Sequence, residues 1–205
     1  MKRRLVLLHF LLTLAFPLAS FADGMTVSLV PAPSRTEHIL GRRNAPVTVI
    51  VYSDFECPAC KFHHATLRRV IRKYRTKVNV VYRNFPLPMH SFARDAAVAG
   101  ECIAKEKGNA AYWQYIYLIY ENGTAKYAQM ADAMALSPQD LEACRNAGEA
   151  DTIVDRQLAE GKAADIWGTP TNFIYSRKTG SMVKLGVAAP DMEKLTSLID
   201  KLLVE

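Results

Sequence analysis

The alternation of apolar and polar residues predicts a strand, a helix and a second strand in the first half of the chain. The β-branched run Val47 to Tyr52 has the length of a strand and lacks helical spacing. Pro58 then stands where proline is favoured, in the first turn of a helix. Apolar residues at roughly helical spacing follow it, namely Phe62, Leu67, Val70, Ile71 and Tyr74. With the next strand at Val78 to Tyr82, this unit predicts parallel strands, the first of them buried and central.

Residues 90–165 are rich in alanine and favour helices. The predicted helices are Arg94 to Lys107, Ala111 to Glu121, Tyr127 to Met134 and Asp151 to Asp165. Ser137 and Pro138 have the residue types of a helix cap and first turn, so they predict another short helix.

The strand pattern returns near the end of the chain. We predict strands at Thr171 to Tyr175 and Met182 to Leu185, and a closing amphipathic helix at Pro190 to Leu203. Residues 23–44 are predicted to be an irregular lead-in, with a short strand near Val27 to Val30. The fold class is therefore α/β, with a helical insertion at 90–165 between two β-containing halves at 45–89 and 166–205.

Residues 1–22 have the pattern of a secretory signal peptide. Three basic residues precede an apolar run from Leu5 to Pro17, and a small-residue cleavage site ends at Ala22. The run is short for a transmembrane helix, which needs about 20 apolar residues. We expect cleavage after Ala22 and export to the periplasm, and an uncleaved membrane anchor is the alternative.

Removal of this segment lowers the formal net charge from +6 to +3, because it contains three basic and no acidic residues. A basic cluster remains on the predicted helix after Pro58 and at its end, at Arg68, Arg69, Arg72, Lys73, Arg75 and Lys77. It has no nucleic-acid recognition motif. We interpret it as a solvated helix face, so no nucleic-acid partner is expected.

Cys57 and Cys60 form a C-x-x-C pair at the junction of the predicted strand and helix. The spacing lets both sulfurs meet within one helical turn, and the first sulfur faces the unsatisfied amides and positive dipole end of the helix. These donors stabilise a thiolate and lower the pKa of Cys57. We therefore predict that Cys57 is the attacking and leaving sulfur and that Cys60 is the resolving one.

A C-x-x-C pair is also half of a zinc site. His63 and His64 follow Cys60 closely, so a Cys/His metal-binding or chaperone-like module is an alternative from a different class. The candidate ligands all lie in one helix start, and no second, distant ligand pair is evident. We therefore predict no metal and no cofactor. A c-type haem site is excluded because Lys61 occupies the position of its histidine.

Three segments in order carry a family resemblance. They are Tyr52 to Cys60, Arg83 to Leu87 with the nearby His90, and Gly168 to Thr171. Together they resemble the DsbA-like exported oxidoreductases of the thioredoxin superfamily, and the resemblance covers residues 36–203. It implies a thioredoxin-like fold that carries the helical insertion.

The resemblance also implies roles for particular residues. Cys57 and Cys60 match the redox pair, and Pro170 matches a cis-proline, with Thr169 before it offering its backbone to an extended substrate. DsbA is a known case of a low thiol pKa and a strongly oxidising disulfide. The implied activity is oxidation of dithiols in exported proteins, followed by reoxidation by a membrane partner that passes electrons to quinone.

Within the same enzyme class, a disulfide isomerase or a reductase kept reduced is the alternative, and Thr169 before Pro170 is compatible with it. Residues 23–44 are too short for the added dimerisation domain that isomerases often use. We expect a monomer.

One position departs from the family. Many relatives carry a buried acid six residues before the first cysteine, where it exchanges a proton with the inner thiol, whereas this chain has Val51. Either Asp54 or Glu56 substitutes through water, or proton transfer at Cys60 is less assisted. As exposed loop acids, Asp54 and Glu56 would instead shape the rim of the site. His90 matches a family position, and capping the helical insertion would explain it equally well.

The other two cysteines, Cys102 and Cys144, fall in the helical insertion. Four cysteines in an oxidising compartment suggest two pairs, although the sequence permits three connectivities. We interpret this pair as a structural disulfide that ties two helices together. A second redox pair and two buried free thiols are the alternatives.

Overall fold

A computed structural model describes residues 30–204, which form a five-stranded sheet with helices packed on it. The strands are β1 Ile39–Gly41, β2 Val47–Ser53, β3 Val78–Asn84, β4 Thr171–Ser176 and β5 Met182–Val187. The helices are α1 Pro58–Tyr74, α2 Ala93–Lys107, α3 Asn109–Asn122, α4 Tyr127–Ala133, α5 Pro138–Ala147, α6 Glu149–Ala163 and α7 Met192–Val204. The predicted signal peptide lies outside the described residues.

Strand β2 lies at the centre of the sheet, whose order is β1-β3-β2-β4-β5. It pairs in parallel with β3, while β1 with β3, β2 with β4 and β4 with β5 pair antiparallel. All seven residues of β2 are buried. The predicted α/β class and the buried central strand are confirmed.

The two faces of the sheet pack in different hydrophobic clusters. Val49 and Val51 of β2 belong to the larger cluster, which includes α1, α7 and most of the inserted helices. Ile50 and Tyr52 belong to the smaller cluster, with Phe85 after β3. Because successive side chains of a strand point to opposite faces, a strand covered on both sides must be apolar throughout.

Helices α2 to α6 all lie between β3 and β4, as the predicted insertion requires. The Ser-Pro signal for α5 is also confirmed, since Ser137 Oγ accepts a hydrogen bond of 3.2 Å from Asp140 N. None of the helices in residues 30–204 has the length and apolar character to cross a membrane.

Helix α6 approaches the sheet closely at Gly161. A Cβ atom there would lie 2.6 Å from a ring carbon of Phe85 and 3.1 Å from one of Tyr52. The contact with Phe85 is shorter than real Cβ atoms make and the contact with Tyr52 is tight, so glycine lets α6 pack against these two rings. The helix is thereby held beside the connection between β3 and α2.

Two expectations from the sequence were wrong. Strand β1 lies in the lead-in that was predicted to be irregular. The short strand predicted near Val27 to Val30 falls almost entirely outside the described residues. Strand β1 pairs with β3 on one side, and on its other side the Asn109 amide bonds to both Ile39 N at 2.7 Å and Ile39 O at 2.8 Å. A three-residue strand held by a distant side chain leaves no periodic signal in the sequence.

Phe62 was predicted to belong to the apolar face of α1, but its side chain is 73% exposed. It lies about 200° around the helix from Cys60, because each residue turns the helix by about 100°. The buried face instead carries Cys60, His63, His64 and Leu67. Two histidines thus occupy positions at which the sequence suggested polar surface.

Cys102 of α2 and Cys144 of α5 form a disulfide with an S–S distance of 2.07 Å. Both residues are buried, and Cys102 is fully inaccessible. The crosslink closes a loop of 42 residues that contains α3 and α4. It therefore restrains the unfolded chain over more than half of the insertion.

Replacing both cysteines, in the variant Cys102→Ala/Cys144→Ala, should lower the free energy of unfolding by about 2–4 kcal/mol, because the unfolded chain regains loop entropy. Denaturant unfolding of the oxidised proteins measures this. The reactivity of Cys57 should not change, since the crosslink lies in the insertion. A double variant as stable as the parent would show that the disulfide adds nothing to the fold.

Candidate functional site

Cys57 is the residue immediately before α1, and Pro58 is the first residue of the helix. The extended backbone of Cys57, with φ −70° and ψ 118°, brings the chain from the β2 end into the helix, and Cys60 N donates to Cys57 O at 3.0 Å. Proline costs no hydrogen bond at this position, because the first amides of a helix have no acceptor within the helix and proline lacks only that amide donor. The Cys57 sulfur is left beside the amides of Cys60 and Ala59 in the first turn.

These donors favour the thiolate of Cys57. The pKa of Cys57 is lowered to about 5, and the largest cause is hydrogen bonding from the Cys60 thiol. Partial burial raises this pKa, whereas hydrogen bonding from Thr169 and from the amides of Cys60 and Ala59 lowers it further. Both cysteines are free thiols in this structure. Cys57 is therefore suited to act as a nucleophile and as a leaving group near neutral pH.

Cys60 has the opposite character. It is 1% exposed, and burial raises its pKa, as does its hydrogen bond to the neighbouring Cys57 sulfur. A protonated Cys60 beside an ionised Cys57 is the stable reduced pair. The two sulfurs thus differ in the way that the sequence predicted for an attacking and a resolving thiol.

The loop before β4 lies directly against Cys57. The Cys57 thiol is 3.4 Å from Thr169 O, and the peptide bond between Thr169 and Pro170 is cis. This loop is anchored on both sides, because Ala188 N donates to Pro170 O at 3.0 Å and Thr171 Oγ1 donates to Gly168 O at 2.8 Å. The fold therefore brings together residues 57 and 169, which are 112 positions apart.

A chain of buried hydroxyl groups lies behind Cys60. Ser53 Oγ and Tyr120 OH are 3.1 Å apart, and Tyr120 OH lies 3.0 Å from Tyr82 OH. Tyr120 OH also donates to Asp54 O at 3.3 Å. Against the larger effect of burial, hydrogen bonding from the Asp54 backbone and then from the Ser53 side chain lowers the pKa of Cys60. Val51, where many relatives carry an acid, is packed in the core.

Asp54 is not the exposed loop acid that the sequence left open, because it is 1% exposed. Its carboxylate accepts hydrogen bonds from Glu56 N at 2.7 Å, Leu87 N at 2.6 Å and His90 Nδ1 at 2.9 Å. The Asp54 carboxylate therefore fixes the loop that contains Glu56 and the connection after β3, and it makes no hydrogen bond to either sulfur.

Glu56 shapes the rim of the site. Its Oε2 accepts a hydrogen bond of 2.6 Å from Phe92 N, immediately before α2. The capping role considered for His90 therefore falls to Glu56. His90 instead binds Asp54, and although burial opposes ionisation, that hydrogen bond and nearby negative charge, including Cys57, raise the pKa of His90. A protonated His90 in turn favours the Cys57 thiolate.

The two histidines of α1 are buried beneath the cysteines. His63 Nε2 is 2.6 Å from Asn172 Oδ1 of β4, and burial lowers the pKa of His63 to about 4. Burial also lowers the pKa of His64 to about 4, and its ring lies between those of Trp113 and Tyr120. Across residues 30–204, no three or more His, Cys, Asp and Glu side chains are grouped so as to hold a metal ion.

We expect reduced protein to be alkylated by iodoacetamide at Cys57 with a rate that falls through a midpoint near pH 5 as the thiolate is protonated. Cys60, buried and held protonated, should react much more slowly. Mass spectrometry of digests gives the rate at each sulfur, with Cys57→Ser as the control. A midpoint near pH 8.5, the value of an ordinary thiol, would contradict the assigned environment.

Ser53→Ala should slow the release of glutathione from a Cys57–glutathione mixed disulfide by about tenfold. The attacking Cys60 thiolate then loses a hydrogen bond to a charged group, and such bonds contribute more than those between neutral groups. The pH at which release accelerates should also rise. Ser53→Thr keeps the hydroxyl and should restore both the rate and the pH profile. If Ser53→Thr is as slow as Ser53→Ala while both unfold like the parent, the hydroxyl has no such role.

Comparisons with known proteins agree with this geometry. The thioredoxin family matches residues 33–201. Over 174 residues the chain is 32% identical to Na(+)/H(+) antiporter NhaA 3 of Salinispora tropica, a match that covers 77% of this chain and 24% of that protein. Over 93 residues it is 36% identical to the probable disulfide bond formation protein D of Bacillus cereus, covering 42% and 41%. The chain therefore spans less than half the length of these relatives.

A solved structure is similar over most of its length. The crystal structure of Pseudomonas aeruginosa DsbA2 matches with a TM-score of 0.69 and 29% identity, over 84% of this chain and 96% of that one. The DsbA-like resemblance inferred from the sequence is thereby confirmed. Since the family match covers most of residues 30–204, this chain belongs to the thioredoxin family.

Proposed function

We propose that this protein is a thiol-disulfide oxidoreductase that oxidises dithiols of exported proteins through Cys57 and Cys60. The observation that carries the proposal is the position of the Cys57 sulfur, at the start of α1 and 3.4 Å from Thr169 O, with the protonated Cys60 behind it. The Cys57 sulfur is stabilised as a thiolate, and the Cys60 sulfur is the more deeply buried of the two.

The proposed reaction begins with the oxidised pair. A substrate thiolate attacks the Cys57 sulfur, so a substrate–Cys57 bond forms, the Cys57–Cys60 bond breaks, and Cys60 leaves and takes up a proton. A second substrate thiolate then attacks the substrate sulfur and releases the Cys57 thiolate. The substrate loses two electrons and two protons. The enzyme keeps both electrons and one proton, and solvent takes the other.

The environment of each sulfur favours this direction. A low pKa makes Cys57 a good leaving group in the second step, and a stabilised thiolate in the reduced pair makes the disulfide a stronger oxidant. Ser53 stabilises Cys60 as it leaves, in place of the acid that Val51 replaces. The extended substrate would pair with the Thr169 backbone.

The proposed setting follows from the chemistry and from residues 1–22. After each turnover the reduced Cys57–Cys60 pair must pass two electrons to an acceptor before it can react again. This acceptor would be a disulfide-bearing membrane protein that passes electrons to quinone. Export after cleavage at Ala22 would bring the protein to its substrates, and it would act as a monomer.

The protein should oxidise a reduced dithiol peptide rapidly and reactivate scrambled ribonuclease poorly. Isomerisation needs a reduced enzyme that stays bound through several exchanges, whereas the stable thiolate of Cys57 favours release after one. The two assays run in parallel measure the ratio of the activities, with Cys57→Ser as the inactive control. Ribonuclease reactivation at the rate of a dedicated isomerase, or a Cys57–Cys60 pair found reduced in the exported compartment, would favour the isomerase alternative.

A further inference from the structure

A groove opens beside the dithiol, between the connection of β3 to α2 and the end of α6. We call it the Trp167 groove, and it lies between residues 85–94 on one wall and residues 158–167 on the other. Its volume is about 450 Å³, enough for one or two large side chains. Trp167 is two residues before Thr169, and His90 on the opposite wall binds Asp54, three residues before Cys57. The groove therefore begins where a substrate bound at Cys57 would continue.

The floor and one edge of the groove are apolar. Leu87, Leu158 and Ile166 line it, and the Trp167 side chain stands at its edge with 76% of its surface exposed. An indole left in water at the mouth of an apolar groove gains free energy when another apolar side chain covers it. This is the feature of the site that the proposed sulfur chemistry does not use.

The charged groups of the groove are all basic. His90, Arg94 and Lys162 line it. Arg94 is already paired with Asp151 at 2.8 Å and Asp155 at 2.6 Å, whereas Lys162 makes no ion pair with any residue between 30 and 204. Lys162 is exposed and is thus the cation available to a bound molecule.

Both walls are fixed by contacts already formed. Leu87 N and His90 Nδ1 are held by the buried Asp54 carboxylate, and Gly161 lets α6 pack against Phe85. A preformed groove binds without the cost of ordering its walls. It is therefore able to discriminate among substrates that share the same reactive thiol.

We infer that the Trp167 groove recognises the residues beside the reactive cysteine of an extended substrate segment, with a preference for an aromatic side chain and a neighbouring carboxylate. The inference rests on the proposed function. In an extended segment alternate side chains face the same way, so the side chain two positions from the cysteine that meets Cys57 points to the same side. An aromatic ring there would lie against Trp167, and an Asp or Glu two positions further along, which points to the same side, would meet Lys162.

The test compares dithiol peptides that differ only at the second and fourth positions from the first cysteine, where they carry Phe and Glu, Ala and Glu, or Phe and Lys. The parent should oxidise the Phe–Glu peptide about tenfold faster, in kcat/KM, than the Ala–Glu peptide, because partial burial of the Phe ring stabilises the complex. Trp167→Ala should remove this difference. Lys162→Glu should reverse the several-fold preference for Glu over Lys.

Matched controls are available elsewhere on the surface. Tyr117→Ala removes another exposed aromatic ring, from α3, and Lys201→Glu makes the same charge change on α7. Both should leave the peptide preferences unchanged. Dithiothreitol, which is too small to reach the groove, should be oxidised equally by all variants.

The outcomes separate the two proposals. If no dithiol, including dithiothreitol, is oxidised by the parent, the proposed function itself fails. If dithiothreitol and all peptides are oxidised at similar rates, or if the control variants alter the preferences as much as Trp167→Ala and Lys162→Glu do, the function stands and the groove does not select substrates.

Discussion

The site depends on one electrostatic arrangement at the start of α1, where the Cys57 sulfur accepts a hydrogen bond from the Cys60 thiol and lies beside the amides of Cys60 and Ala59. The helix can begin at this point because Pro58 needs no hydrogen-bond partner and because the buried strand β2 ends just before it. The same junction places Cys60 one turn further in, where burial keeps it protonated. The difference between the two sulfurs is therefore a property of where a strand becomes a helix.

The residues around this junction divide into groups that hold the loop and groups that face the sulfurs. Asp54 and Glu56 look like candidate acid–base groups in the sequence, yet both accept hydrogen bonds from the backbone between β3 and α2. Cys60 interacts with the Cys57 sulfur and the Asp54 backbone, and then with Ser53, which is backed by Tyr120, and with Thr169. In a chain with Val51 in place of the family's acid, hydroxyl groups are thus among the partners of Cys60, and they donate and accept hydrogen bonds without adding a buried charge.

Local signals explain what could be predicted from the sequence. The apolar run of β2 and the Pro58 helix start each act within a few residues, so they predicted the central strand and the helix that meet at Cys57 and Cys60. The contact of Ser53 with Tyr120 joins residues 67 positions apart, and no local sequence pattern near either residue predicts it. The burial of Asp54 likewise depends on Leu87 and His90 reaching it from another segment.

The disulfide of the insertion has a consequence for how the protein is made. A newly synthesised copy leaves the cytoplasm, under the proposed export, with Cys102 and Cys144 as thiols, and α2 and α5 are not yet tied together. Until some disulfide donor acts on it, the chain is itself a reduced exported protein. Its own supply would then depend on molecules of the same kind that had matured before it, so the activity would sustain its own production.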